Sequence, residues 1–407
     1  MTCAPLATAL DPKRPLYVAA VGDAGSPLTW SGIPYYLVET GKARGVVTAG
    51  LPLSVRGRDW EVLRAAWNLS RVACGDRIGG YQYSVGFLER LWRPHHQRVR
   101  GARVINCFQL YPPSLSTDDT VEKWHFIDLT LTQLFDYYRL RSTVGRRAAA
   151  DAVERERDGY RRASGILVMS QFAAASMRDD YGVPDERVHI VVPGANLDPH
   201  AYRIWETARR PTEPSAAGLR LVIVSTDWKR KGLDRLLRAF AIARSEGLKA
   251  SLKVVGTERD ELPAGLAEQP GIEWVGRIYK DKAAQQFLDI VADADVGCIL
   301  AHYEAGGSVL REYHALGLAA FATTAGGMPD FMFSDAAVTV HPDASDRTIA
   351  DELLALAADR RRLERMQAAA WQRRREATWD ASVERIHAAI NGDASDGTAL
   401  VSSSTGS

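Results

Sequence analysis

At 407 residues the chain is long for a single core, and its formal charge of +1, from 51 basic and 50 acidic side chains, gives no electrostatic support to a nucleic-acid partner. Its four cysteines, Cys3, Cys74, Cys107 and Cys298, are scattered without a C-x-x-C pair, which argues against a zinc site or a disulfide framework and fits a reducing cytosol. No apolar run approaches the roughly 18 residues of a membrane span, and no basic stretch leads into an apolar core at the N-terminus, so neither a span nor an export signal is expected.

In chain order, LYVAAV (Leu16 to Val21) reads as a buried strand, followed by the loop GDAGSPLTWSG and a helix from Ile33 to Lys42. Pro34 suits the first turn of that helix, where no N–H is needed. The loop does not spell G-x-G-x-x-G, and G-x-x-x-x-G-K-[ST] is absent from the sequence, which disfavours a dinucleotide cofactor and a nucleoside triphosphatase. Strand signals at Gly45 to Val47, Gln82 to Phe87 and Ala102 to Gln109, with a helical region from Trp60 to Asn68, imply an α/β unit with a largely parallel sheet.

From Arg56 to Arg103 ten arginines face four acids (Asp59, Glu61, Asp76 and Glu89), interleaved with Trp60, Trp67, Leu88, Leu91 and Trp92. Such a face is either solvated helix surface or suited to an anionic membrane or an acidic acceptor. The segment WHFIDLTLTQLFDYY (Trp124 to Tyr138) sets His125, Asp128 and Thr130 in apolar, aromatic company; Asp128 either caps a helix beginning near Leu129 or serves chemistry. A charged helix from Arg146 to Arg162, the strand GILVMS, a helix ending at YGVP and the strand VHIVVPGANLD complete the first unit.

Residues Pro199 to Gly218, rich in Pro, Ala and charge, read as a linker. A second α/β set follows: LRLVIVS, a helix from Leu233 to Ser245, SLKVVG, IEWVG, a helix from Ala283 to Asp293, AAFAT and AVTV, then charged helix from Thr348 onward. The two halves are alike in architecture without a residue-level repeat. Gly392 to Ser407 are small and polar and are expected to be disordered.

The stretch VGCILAHYEAGGSVLREYHALGL (Val296 to Leu318) organises the second set. An apolar strand and a helix enclose a loop in which Gly306 and Gly307 permit close backbone approach and Ser308 can cap the helix, so free N–H groups face an anion. Glu304 and Glu312 flank that loop with seven residues between them. Carboxylates repel phosphate but accept hydrogen bonds from sugar hydroxyls on either side of a diphosphate, which points to a nucleotide sugar; the plain alternative is a loop charge and a solvated helix face.

With YGVPDERVHIVVPGANLD, STDWKRKGLDRLLRAF, WVGRI, the E-x7-E of Glu304 and Glu312, and the terminal WDASVERI (Trp379 to Ile386), the chain resembles the retaining glycosyltransferases of family 4. The resemblance implies GT-B architecture, two Rossmann-like domains with parallel sheets facing across a cleft. The expected units are an acceptor-side domain over 1–200, a nucleotide-sugar domain over 201–375, a helix over 376–391 returning to the first domain, and a tail over 392–407. It implies that Lys231 binds the donor diphosphate, that Glu304 meets donor-sugar hydroxyls and Glu312 the ribose, and that Ala305, Gly306, Gly307, Ser308 and Val309 bind the donor, the first four through backbone N–H groups. Gly276 and Arg277 would frame the nucleobase, and Gly32 would lie near the phosphates. Thr226 stands where many relatives carry a phosphate-binding arginine, with Arg230 as its substitute, and Asp128, then His125, are nearest to the family's first-domain histidine.

The implied reaction moves a sugar from a nucleotide-diphosphate donor, UDP ahead of GDP, to an acceptor hydroxyl with retention. The departing phosphate takes the acceptor proton, and neither metal nor cofactor is called for. The acceptor is a small molecule, a glycan or a lipid-linked group, and the compartment the cytoplasm, with peripheral contact at the inner membrane face as an alternative. A non-catalytic nucleotide-sugar-binding or assembly protein of the same fold is the rival reading.

Overall fold

A computed structural model describes residues 14–54, 59–208 and 218–392. Arg56 and Arg58 of the arginine cluster and residues 393–407 of the expected tail lie outside them. Among the described residues, twelve strands form two parallel sheets of six. The first holds β1 (Leu16–Val21), β2 (Ala49–Leu53), β3 (Arg103–Asn106), β4 (Glu122–Ile127), β5 (Gly165–Val168) and β6 (Val188–Ile190), in the order β2-β1-β3-β4-β5-β6. The second holds β7 (Leu219–Val224), β8 (Ala250–Val255), β9 (Ile272–Gly276), β10 (Val296–Ile299), β11 (Ala319–Thr323) and β12 (Ala337–Val340), in the order β12-β11-β10-β7-β8-β9. Strands such as β5, β10 and β11 are buried along their whole length, as expected when helices cover both faces of a parallel sheet. In each sheet the order reverses once, between β1 and β3 and between β7 and β10. Loops at the carboxyl ends of strands flanking such a reversal are where open α/β sheets bind ligands.

Three local expectations are corrected. Gln82 to Phe87 is not a strand: Tyr81–Tyr83 form a 3-10 turn and Val85–Trp92 a helix. Ser84 caps that helix by accepting from the Phe87 N–H at 3.2 Å, and Phe87, Leu88, Leu91 and Trp92 are buried on one helical face. Gly45 to Val47 only returns from the preceding helix, with the Val46 and Val47 N–H groups donating to the Gly41 carbonyl, and the strand begins at Ala49. The expected linker is helical over Pro199–Ala208, with Ala201, Tyr202 and Trp205 buried and the Tyr202 hydroxyl donating to the Ala315 carbonyl at 2.9 Å; its later residues, 209–217, are outside the described set.

The last helix, Trp379–Asn391, returns to the first sheet's layer and packs on the helix Ile33–Ala43. Val383, Ile386 and Ile390 are buried there, and Arg44 pairs with Glu384 at the rim. No helix among the described residues is long and apolar enough to cross a membrane.

Candidate functional site

The loops after β7 and β10 lie side by side at the reversal of the second sheet. Lys231 ends the first loop, and its carbonyl accepts from the Leu300 N–H of the second at 3.1 Å, which stitches the two together. Across this stitch Lys231 Nζ pairs with Glu304 Oε2, and Arg230 Nη1 reaches the same oxygen at 2.6 Å. Burial works to raise the Glu304 carboxyl, but Lys231 and then Arg230 outweigh it and hold it below the usual carboxylate range. Arg230 is itself steadied by Asp227 at 3.1 Å, while Thr226 is exposed at the loop's start, so the second cation at this site is Arg230.

Gly307, with φ of +92°, is the N-cap of the helix Ser308–Ala315; Ser308 is therefore its first residue and not its cap, and no side chain caps it. The Ser308 and Val309 N–H groups, in the first turn, have no intrahelical carbonyl to meet, and the positive end of the helix dipole lies there. One turn on, Glu312 is buried. Lys280 Nζ holds its Oε1 at 2.6 Å, while its Oε2 is buried without a hydrogen-bond partner among the described residues. A buried carboxylate oxygen left open is an acceptor waiting for a hydroxyl.

Not every loop N–H is open. Ala305 N–H donates to the Tyr138 hydroxyl at 2.9 Å and Glu304 N–H to the Tyr137 hydroxyl at 3.2 Å, so the expectation that Ala305 offers its N–H to a donor is corrected. Gly276 (φ +75°) closes β9 in an exposed-side turn where the Arg277 N–H and guanidinium are bound by Glu258 and Glu261, at 3.0 Å each. Among the described residues, the hydrogen bonds and ion pair of that turn run to Glu258 and Glu261 and not to Lys231 or Glu304.

From the first sheet, Asp128 follows β4 and sits close enough for its charge and that of Glu304 to oppose one another. It caps nothing: Thr130 caps the helix Leu131–Asp136, in a reciprocal pair with Gln133. Desolvation, with Glu304 adding, pushes the Asp128 carboxyl up to about 6, against hydrogen bonds that include one from the Trp30 side chain. Between the unfolded value of about 4 and about 6 the folded protein keeps a proton that the unfolded chain releases, so this carboxyl favours folding at acid pH and that contribution is lost as pH rises through about 6. Asp128→Asn should therefore gain in melting temperature relative to the parent between pH 4.5 and 7. Parallel melting curves across that range would show that the carboxyl is not held beside Glu304.

His125 is in the core, with Nδ1 toward the Phe108 carbonyl at 3.1 Å and its ring edge-on to Tyr111 and Tyr160. Burial pulls its pKa down to about 4, and its Nε2 is buried without a hydrogen-bond partner among the described residues. Gly32 (φ +87°) starts the helix Ile33–Ala43 after two further left-handed residues, Trp30 and Ser31. That strained turn is braced from afar: Asn196 Nδ2 donates to the Ser31 carbonyl at 2.7 Å, and the Trp379 indole donates to Asn196 Oδ1 at 2.8 Å. Trp30, Tyr137, Tyr138, Asn196 and Lys280 all escape a local reading of the sequence, since each acts on a residue far along the chain.

Two six-stranded parallel α/β sheets meeting over these loops are the GT-B fold of glycosyltransferases. Residues 206–373 match the family described as glycosyl transferases group 1. A D-inositol 3-phosphate glycosyltransferase of Thermobispora bispora is 29% identical over 216 residues, 51% of this chain and 50% of that one. The chain thus spans about half the length of the curated relatives it matches, or less. Among solved structures, sucrose-phosphate synthase from Thermosynechococcus elongatus superposes with a TM-score of 0.64 at 14% identity, covering 93% of this chain and 98% of that one. HepE from Anabaena, in complex with UDP and glucose, does so with a TM-score of 0.58 at 15% identity, over 92% and 99%.

Proposed function

We propose that the protein is a glycosyltransferase that moves a sugar from a nucleotide-diphosphate donor to an acceptor hydroxyl with retention of configuration. The observation that carries this reading is the convergence of Lys231, Arg230 and Glu304 beside the open first turn of the helix Ser308–Ala315, opposite Asp128. A leaving nucleoside diphosphate gains charge in the transition state, and fixed cations with a helix N-terminus stabilise that charge without reorganising. The buried open oxygen of Glu312 suits a ribose hydroxyl. UDP-sugars are the first donors to test and GDP-sugars the second; the UDP and glucose in the HepE structure support that order.

A panel of nucleotide sugars should raise the melting temperature for the matching donor, by an amount set by its concentration over Kd. In Glu312→Gln the same donor should shift it less. A panel that shifts nothing in the parent protein overturns the reading, and a donor that binds without being hydrolysed or transferred favours the non-catalytic rival.

The acceptor is read as lying at a membrane face. On the helix Asp59–Ala73 and just beyond it, Val62, Leu69, Val72 and Ile78 are more than half exposed, while Arg64 and Arg71 lie over the rings of Trp60 and Trp67. An apolar strip beside arginines suits an anionic bilayer, where each basic residue contributes about 1 kcal/mol. Co-sedimentation with anionic vesicles should be strong at low salt, weaker at high salt, and absent with neutral vesicles. No binding at low salt would favour a soluble acceptor.

A further inference from the structure

Glu304 carries the sugar side of the site, yet it stands on a loop whose backbone is gripped by the other domain. The Tyr137 and Tyr138 hydroxyls accept from consecutive N–H groups, those of Glu304 and Ala305. Tyr137 also packs against Tyr303, with ring centroids 5.3 Å apart, and against Phe172 at 4.9 Å; Arg139, in a left-handed conformation, lies over the Tyr303 ring. Opposite them, glycine is required at 326, because a Cβ there would stand 2.9 Å from the Tyr137 hydroxyl and 2.2 Å from the Glu304 carbonyl.

The tyrosines are well anchored on their own side. They directly follow the helix Leu131–Asp136, whose first N–H donates to both oxygens of the buried Glu156, at 2.9 and 3.1 Å, and whose Gln133 donates to the Phe172 carbonyl at 2.7 Å. Burial keeps the Tyr138 hydroxyl protonated, with the Glu304 and Asp128 charges acting in the same direction, so it meets Ala305 as a neutral acceptor. The groups assigned above to the nucleotide behave differently: Lys231, the first turn at Ser308 and Val309, and the Glu312–Lys280 pair all belong to the second sheet's half of the chain, and neither tyrosine hydroxyl bonds to them.

We propose that Tyr137 and Tyr138 are positioning residues through which the first domain fixes the Glu304 loop, so that the sugar side of the site is complete only while the domains are closed on each other. This rests on the donor-site reading given above and refines it. The nucleoside diphosphate is then held mainly by the second domain, with Lys280 also reaching the Asn196 carbonyl at 3.5 Å, whereas the orientation of the sugar depends on both domains. A donor bound to an open molecule is not yet set for transfer, which limits wasteful hydrolysis.

The test uses the full chain with Tyr137→Phe, Tyr138→Phe and the double variant, which keep the rings and remove only the hydroxyls. Amide hydrogen exchange across residues 303–306 should rise several-fold in the double variant, and kcat with the sugar nucleotide should fall roughly tenfold or more, in line with the loss of two hydrogen bonds. Affinity for UDP alone should stay within about twofold, a split that general damage to the fold would not produce. Unchanged exchange in 303–306, a kcat within twofold of the parent, or UDP affinity falling in step with kcat would each overturn the proposal. Should the parent protein turn over no sugar nucleotide, the transferase reading fails, and the exchange measurement alone still decides whether the tyrosines hold the loop.

Discussion

On the proposed donor-site reading, Lys231→Ala should lower turnover at saturating donor by about 100-fold or more while leaving the melting temperature close to that of the parent, because there the ammonium acts on charge that develops during reaction. The side chain is not part of the apolar core; it bridges from the loop after β7 to Glu304, and Arg230 still pairs with that carboxylate when it is gone. A fixed cation at a helix N-terminus acts on the departing diphosphate more than on the bound donor, so kcat should suffer more than donor affinity. Steady-state kinetics beside a melting curve settle the matter. A variant with near-normal kcat would remove Lys231 from the leaving-group site.

Gly232→Ala should be a strongly damaging single-methyl change near the site. Gly232 has φ of +72° at the start of the helix Leu233–Ser245, and a Cβ there would lie 2.1 Å from the Leu300 carbonyl oxygen. Holding a non-glycine residue in the left-handed region costs about 1–3 kcal/mol, and relieving the overlap with backbone adds a similar amount. Together these are a large part of the 5–15 kcal/mol by which domains are typically stable. Parting the loops after β7 and β10 would relieve the overlap, at the cost of the Lys231–Leu300 hydrogen bond and of the placement of Lys231 on Glu304. Chemical denaturation should show a clearly lower midpoint, and donor-induced thermal stabilisation should vanish. A midpoint unchanged from the parent would mean that the two loops do not approach so closely.

Much of the second half was legible because its strands are apolar runs bounded by glycine or polar loops, as buried parallel strands are, and because the helix from Leu233 to Ser245 has clear helical spacing. The strand reading of Gln82 to Phe87 fails because Tyr83, Val85 and Phe87 alternate over too short a run to fix a period, and the Ser84 cap decides for helix. At the site, Glu304 and Glu312 could be picked out by spacing, but their charge partners could not be paired to them. Lys280 lies 32 residues from Glu312, and Tyr138 is 167 residues from Ala305. Such pairings arise from strand order, which a local pattern does not encode. Ser308 was misread for a smaller reason: a glycine with positive φ can begin a helix with no side-chain cap, and the hydroxyl one position later merely looks like one.

The return of the helix Trp379–Asn391 to the first sheet's layer has a consequence for biosynthesis. This helix is made after every other described element, yet Val383, Ile386 and Ile390 cover the helix Ile33–Ala43, and Trp379 braces the turn at Ser31 through Asn196. On the ribosome, the first α/β unit therefore waits with an apolar face uncovered while some two hundred further residues emerge, a span of about 10–40 s at 5–20 residues per second. Nascent chains stalled before Trp379 should recruit chaperones at that face, and release of the last helix from the exit tunnel is the event that completes the unit begun first.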